Sequence, residues 1–161
     1  MRNLLICFFI MLLVACGTST KTTSTNKTNN YKREVNALHP VFTVFHINDT
    51  LSELHFKIAS KELLYMRPDA INFSSNVLIS YKLVASYESK TILDSASIRL
   101  VDSNNELVEK FLVGKMNFNA LLTRSYYLRV NITDLNRNTS YNTVITVEKG
   151  NEWNRQNFIV K

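Results

Sequence analysis

From Val41 onward, apolar side chains recur at every second position, and this period of two limits the fold more than any other feature of the chain. Successive side chains of a strand point to opposite faces, so the pattern describes half-buried strands and not helices. VFTVFHIN and LSELHFKI flank Asn48-Asp49-Thr50, a compact turn sequence, and predict a first hairpin. In the second of these segments Leu54, Phe56 and Ile58 share a face, with His55 and Lys57 opposite. NVLISYKLVAS sets Val77, Ile79, Tyr81 and Leu83 together. SASIRLVDS does the same for Ala96, Ile98 and Leu100, then breaks at Asp102-Ser103-Asn104-Asn105. ELVEKFLVG follows and ends at Gly114, while YYLRVNITDLN aligns Tyr126, Leu128, Val130 and Ile132. SYNTVITVEKGN and QNFIVK complete the series, and SKELLYM (60–66) fits either a single turn of helix or a continuing edge strand.

Short alternating strands at this spacing predict an all-β fold, an antiparallel immunoglobulin/fibronectin-like β-sandwich of about seven or eight strands. Its core comes from two inner faces packed together. A closed β-barrel of similar size is the second architecture the pattern allows. Tyr126 opens an alternating strand, the position at which sandwich domains carry a corner tyrosine that bonds back to the chain.

The N-terminus has a different character. Met1-Arg2-Asn3 is followed by Leu4 to Ala15, without a charged side chain. As a helix that run is roughly 18 Å long, short of the ~30 Å hydrocarbon core, so a secretory signal fits better than a membrane span. Leu13-Val14-Ala15-Cys16 resembles the lipobox of bacterial lipoproteins, in which the cysteine becomes the diacylglycerol-modified first residue of the mature chain. Several acyl chains, at about 0.8 kcal/mol per buried CH₂, anchor stably where one alone is marginal. The expected organisation is a signal peptide over 1–15, a lipidated Cys16 with a flexible linker over 16–36, and a β-sandwich domain over 37–161. GTSTKTTSTNKTNN (17–30) holds no aromatic or branched aliphatic residue and reads as a stalk. Cys7 leaves with the signal and Cys16 is taken by lipid, so neither disulfide nor cysteine metal site is expected.

Without Arg2 of the signal the formal net charge of +6 becomes +5, and most of that excess is a property of the tether. Ahead of Ala37, Lys21, Lys27, Lys32 and Arg33 face only Glu34, and the body carries 14 basic against 12 acidic residues. A nucleic-acid partner is therefore not expected.

No reactive constellation stands out, and the reading is not an enzyme. His39, His46 and His55 are the only histidines. His46 and His55 fall on neighbouring strands of the first hairpin, but a metal centre needs a third ligand and support, so all three read as surface histidines and no metal or other cofactor is expected. The serines lie in no Gly-x-Ser-x-Gly elbow, and three glycines do not build a phosphate loop. Glu106 and Glu109 read as solvated, and the aromatic side chains as core filling. Asp49-Thr50-Leu51 and Asp94-Ser95-Ala96 resemble the Asp-Ser/Thr-aliphatic O-glycosylation signal of Bacteroidota, which makes Thr50 and Ser95 candidate acceptors.

HPVFTVFHINDTLSELHFKIASKELLYMR, SYESKTILDSASIRLVD, TDLNRNTSYNTVITVEKGN and NRQNFIV together resemble the N-terminal region of the GWxTD-domain lipoproteins of Bacteroidota, over approximately residues 38–160. The most telling pieces are Tyr87-Glu88-Ser89, Asp94-Ser95-Ala96-Ser97, Thr133-Asp134-Leu135-Asn136-Arg137 and Asn154-Arg155-Gln156-Asn157-Phe158. The resemblance implies a β-sandwich on an outer-membrane lipoprotein and brings no reaction with it. The Gly-Trp-x-Thr-Asp motif itself is absent, and the single Trp153 lies in NEWNRQ. Family members continue into a further domain, so a fragment, a split gene and a free-standing first domain are all compatible with the resemblance.

The expected function is a non-enzymatic outer-membrane lipoprotein domain, an interaction or scaffolding module in a cell-envelope complex. Its partners are the membrane, through the N-terminal lipid, and an envelope protein at the strand edges or end loops; no small-molecule substrate is expected. The alternative is a surface-displayed carbohydrate-binding or adhesive module. Gly17 and the acid-free GTSTKTTST after the cysteine favour the periplasmic face of the outer membrane over the cell surface.

Overall fold

A computed structural model of the chain describes residues 37–67, 72–104, 109–122 and 124–158. Seven strands run through these residues: β1 (Val41–His46), β2 (Leu51–Ala59), β3 (Phe73–Val84), β4 (Ile92–Asn104), β5 (Phe111–Asn119), β6 (Ser125–Asp134) and β7 (Thr139–Glu148). Short 3-10 turns occupy Ser60–Glu62 and Arg155–Asn157. The strands form two antiparallel sheets, ordered β1-β2-β5 and β4-β3-β6-β7. The fold is all-β, an immunoglobulin/fibronectin-like sandwich in which β4 joins the sheet of β3.

Local chemistry explains the turns. The Asn48 side-chain oxygen accepts the Thr50 and Leu51 N–H groups at 3.0 and 2.9 Å, closing the β1–β2 connection as an Asx turn. Asn138, between β6 and β7, takes the left-handed conformation at φ 57°, which asparagine tolerates better than most residues.

The inward faces meet as the alternation predicts. Leu54, Phe56 and Ile58 of β2 pack against Val77, Ile79, Tyr81 and Leu83 of β3 and Leu128, Val130 and Ile132 of β6 in one buried cluster. Each large apolar side chain removed from water contributes about 1.5–3 kcal/mol. The Tyr81 ring lies 5.9 Å from that of Phe118, and its hydroxyl donates to the Asn117 carbonyl at 2.8 Å, tying β3 to β5 across the sandwich. The corner tyrosine is present: the buried Tyr126 hydroxyl takes the Leu121 N–H at 3.2 Å and donates to the Leu121 carbonyl at 3.4 Å.

Three strand expectations are corrected. Gly114 does not end a strand; it lies within β5, opposite Phe56, and Met116 and Phe118 continue the buried face beyond it. β4 runs through the expected break to Asn104, because Ser74, Ser75 and Asn76 of β3 pair with Ser103, Asp102 and Val101. Residues 155–157 of QNFIVK and its flank form a 3-10 turn, not a strand, and Phe158 follows in extended backbone. Within SKELLYM the single turn is what forms.

Candidate functional site

The lipobox residues Leu13, Val14 and Ala15 and the lipidation site Cys16 lie outside the described residues, as does Glu106. Thr50 and Ser95 are both exposed. The Thr50 hydroxyl donates to the Asn48 side chain at 3.1 Å, whereas Ser95 stands on β4 across from Lys82. Its neighbour Asp94 is bound inward: the carboxylate accepts the Asn119 N–H at 2.7 Å and the Tyr81 hydroxyl at 3.3 Å. Burial, and then that carboxylate, push the Tyr81 phenol up to about 12.

The histidines separate into three environments. His39 stays exposed and bonds Glu62 through both its backbone N–H and its ring. His55 is half-buried beside Glu53, which also takes Lys115 at 2.6 Å; the Lys115 hydrogen bond holds the Glu53 carboxyl below the usual carboxylate range. His46 is not on the surface as expected. It is buried, with Nδ1 2.9 Å from the Ser52 hydroxyl and Nε2 3.3 Å from the Glu148 carbonyl. Nor does it face His55, since the register pairs His46 with Ser52 and His55 with Thr43. Burial, reinforced by the nearby Lys149 charge, pushes the His46 imidazole down.

A serine hydroxyl on a histidine nitrogen has the connectivity of a nucleophile and its base. Here Ser52 is fully buried and the second ring nitrogen meets a backbone carbonyl, so the pair binds β1, β2 and β7 together. Lys149, itself buried, reaches back from the end of β7 to the Asn48 and Leu51 carbonyls of the first turn. Among the described residues no three His, Cys, Asp or Glu side chains are gathered to hold a metal ion.

The pieces that carried the family resemblance are polar fasteners. In Thr133-Asp134-Leu135-Asn136-Arg137, the fully buried Asp134 carboxylate accepts N–H groups from Leu64 at 2.8 Å, Asn136 at 3.0 Å and Arg137 at 3.2 Å. The Asn136 amide donates to the Leu64 and Ser74 carbonyls, and the Arg137 guanidinium to that of Glu62. This set clamps residues 62–64 to the β6–β7 turn. In the final segment the Gln156 side chain accepts the Glu148 N–H at 2.9 Å and donates to the Thr146 carbonyl at 2.7 Å, as a neighbouring strand would at that end of the β7 edge. Arg129 holds the connection after β3 by donating to the Tyr87 and Ser89 carbonyls at 2.6 and 3.0 Å.

Two surfaces remain that sequence reasoning did not single out. One is the edge of β4, 13 residues long and paired on one side only. The other is the outer face of the four-stranded sheet, where Ser80 and Lys82 of β3, Arg129 and Asn131 of β6 and Asn142 and Val144 of β7 line a trough of about 560 Å³. The alternation that located the inner face was the signal available for the outer one. Most aromatic rings in the strands fill the core, but Tyr87, Phe111, Trp153 and Phe158 are exposed.

No protein-family model and no curated protein matches this chain.

Proposed function

We propose that this chain is a non-enzymatic, lipid-anchored interaction module of the bacterial outer membrane, acting as a scaffold in an envelope complex from the periplasmic face. The lipobox-like Leu13-Val14-Ala15-Cys16, the stalk and the resemblance to the first domain of GWxTD lipoproteins support the address. The observation that carries the role is the unequal treatment of the edges of the larger sheet. Gln156 caps the end of the β7 edge at Thr146 and Glu148, while β4 offers 13 residues with neither proline nor lysine, two residues that commonly block an edge. An open edge of that length fits strand addition, in which backbone hydrogen bonds supply affinity and alternate side chains supply selectivity.

A photo-crosslinking residue placed at Ser97 in cells, followed by mass spectrometry, tests the role. A discrete protein adduct at Ser97 that is missing at Lys57 is the expected result; equal or no capture at the two positions removes the scaffold reading. The address is tested separately: Cys16→Ser releases the protein from the membrane fraction, and protease applied to intact cells leaves the lipidated protein intact.

A further inference from the structure

The outer face of the β4-β3-β6-β7 sheet has an unbalanced charge. Lys82 of β3 sits directly across from Arg129 of β6 in the ladder, and Arg99 of β4 faces Leu78, four residues back along β3. Alternation sends 74–82 of β3, 95–103 of β4, 127–133 of β6 and 140–148 of β7 outward at every second position. Those positions carry three cations and one carboxylate, Glu148, which lies opposite Ser125 and takes the Asn154 amide. Among the described residues none of the three cations forms an ion pair; Arg129 reaches only backbone carbonyls and Arg99 the Asn76 side chain. Like charges directly opposite on a sheet oppose folding, and an anion between them relieves the repulsion.

The surroundings describe what that anion belongs to. Ser80, Asn131 and Asn142 follow along the trough, the two asparagines bonded to each other at 2.8 Å, and Thr133 with Ser140 continues the hydroxyl row. At the opposite end Tyr127 stands on β6 two residues before Arg129, its ring edge-to-face with the exposed Tyr87 ring at 5.9 Å. Flat sugar rings bind on aromatic faces, and their hydroxyls pair with amides and hydroxyls. Among the described outward positions the aliphatic side chains are Leu78, Val101 and Val144, one on each of three strands, so a peptide would find few apolar pockets here. The volume is within the roughly 300–1,000 Å³ of ordinary ligand sites. We infer that this face binds a linear anionic polysaccharide, its acidic groups on Lys82 and Arg129 and its hydroxyls on Ser80, Asn131 and Asn142. The site is separate from the β4 edge and stands whether or not that edge takes a protein partner.

The test uses the full lipidated chain in detergent micelles, titrated by calorimetry with polygalacturonate oligomers, with neutral dextran and polyglutamate alongside. The expected result is saturable binding to polygalacturonate that weakens with added salt, and none to dextran. Lys82→Glu lowers affinity by roughly tenfold or more, the size of one lost charge-assisted contact, while Lys57→Glu on the other sheet changes it less than about twofold. Lys82→Glu keeps or raises the melting temperature, because it puts a carboxylate across from Arg129, so its loss of binding is not unfolding. Asn142→Ala provides a second, uncharged probe and also weakens binding. No saturation by ~1 mM, an equal loss in Lys57→Glu, or equal affinity for polyglutamate would overturn the inference.

Discussion

Gly114 is paired directly with Phe56, and the Phe56 ring fills the space that a side chain at position 114 would need. A Cβ built on Gly114 would lie 2.5 Å from the tip of that ring. The ring is buried, so it has little room to give way.

Gly114→Ala is therefore expected to destabilise. Overpacking costs about 1–3 kcal/mol, against a gain of about 0.4–1 kcal/mol from a stiffer unfolded chain, which leaves a net loss near 1 kcal/mol. Urea unfolding measures it. In a Phe56→Leu background the same change should cost much less, and equal costs in both backgrounds would show that the two residues are not coupled.

This pair also shows what a sequence can and cannot disclose. The alternation on β2, β3 and β6 exposed Leu54, Ile79 and Ile132 as core positions because each strand carries its own record of burial. Gly114 looked like a strand end because a glycine beneath a ring and a glycine in a turn are written identically. The difference is made by Phe56, far away in the chain. His46 was misplaced for the same reason: its burial is compensated by the Glu148 carbonyl, 102 residues away. Asp102 at the expected break is held by Tyr65 and Lys110 instead of starting a turn. Of the candidate surface, Lys82 and Arg129 fall at outward positions of two separate strands, and their juxtaposition depends on register, which a single strand does not state.

Asp134 is the next site to probe. Its carboxylate accepts three backbone N–H groups in a fully buried position. Asp134→Ala orphans these donors and should cost about 3 kcal/mol or more, at about 1–3 kcal/mol for each group left unpaired. Asp134→Asn, which keeps one accepting oxygen, should cost roughly half as much. Thermal unfolding ranks the two, and hydrogen exchange at Leu64 should speed up in both.

The His46 imidazole is held neutral by burial, with its folded value below the ordinary 6.5. Between the folded value and 6.5 the unfolded chain binds more protons than the native one, so stability rises with pH there. The His46 contribution is thus complete above about pH 6.5, is lost as pH drops through the folded value, and is constant below it. In His46→Gln this step between pH 6.5 and the folded value disappears from the stability–pH curve. Glu53, held low by Lys115, adds a separate loss beginning below its ordinary 4.5, which Lys115→Met should reduce.

Tyr81→Phe removes a hydroxyl that donates to the Asn117 carbonyl and bonds the Asp94 carboxylate. The expected cost is about 1–2 kcal/mol, since the single hydroxyl proton that the two acceptors share is lost at the contact between sheets. Double substitution with Asp94→Asn should cost less than the two single changes added together, and additive costs would show that the hydroxyl and carboxylate act independently.

Gln156 has a consequence for how many neighbours the domain can recruit. Unlimited growth of a β-ribbon needs each subunit to offer two free flanks, so that every addition creates the next docking place. In the larger sheet the tail residue's carboxamide takes up the Thr146 carbonyl and the Glu148 N–H, so one flank is shortened at its end. A second strand arriving at this sheet would thus meet a shortened β7 flank, which disfavours fibre growth through it.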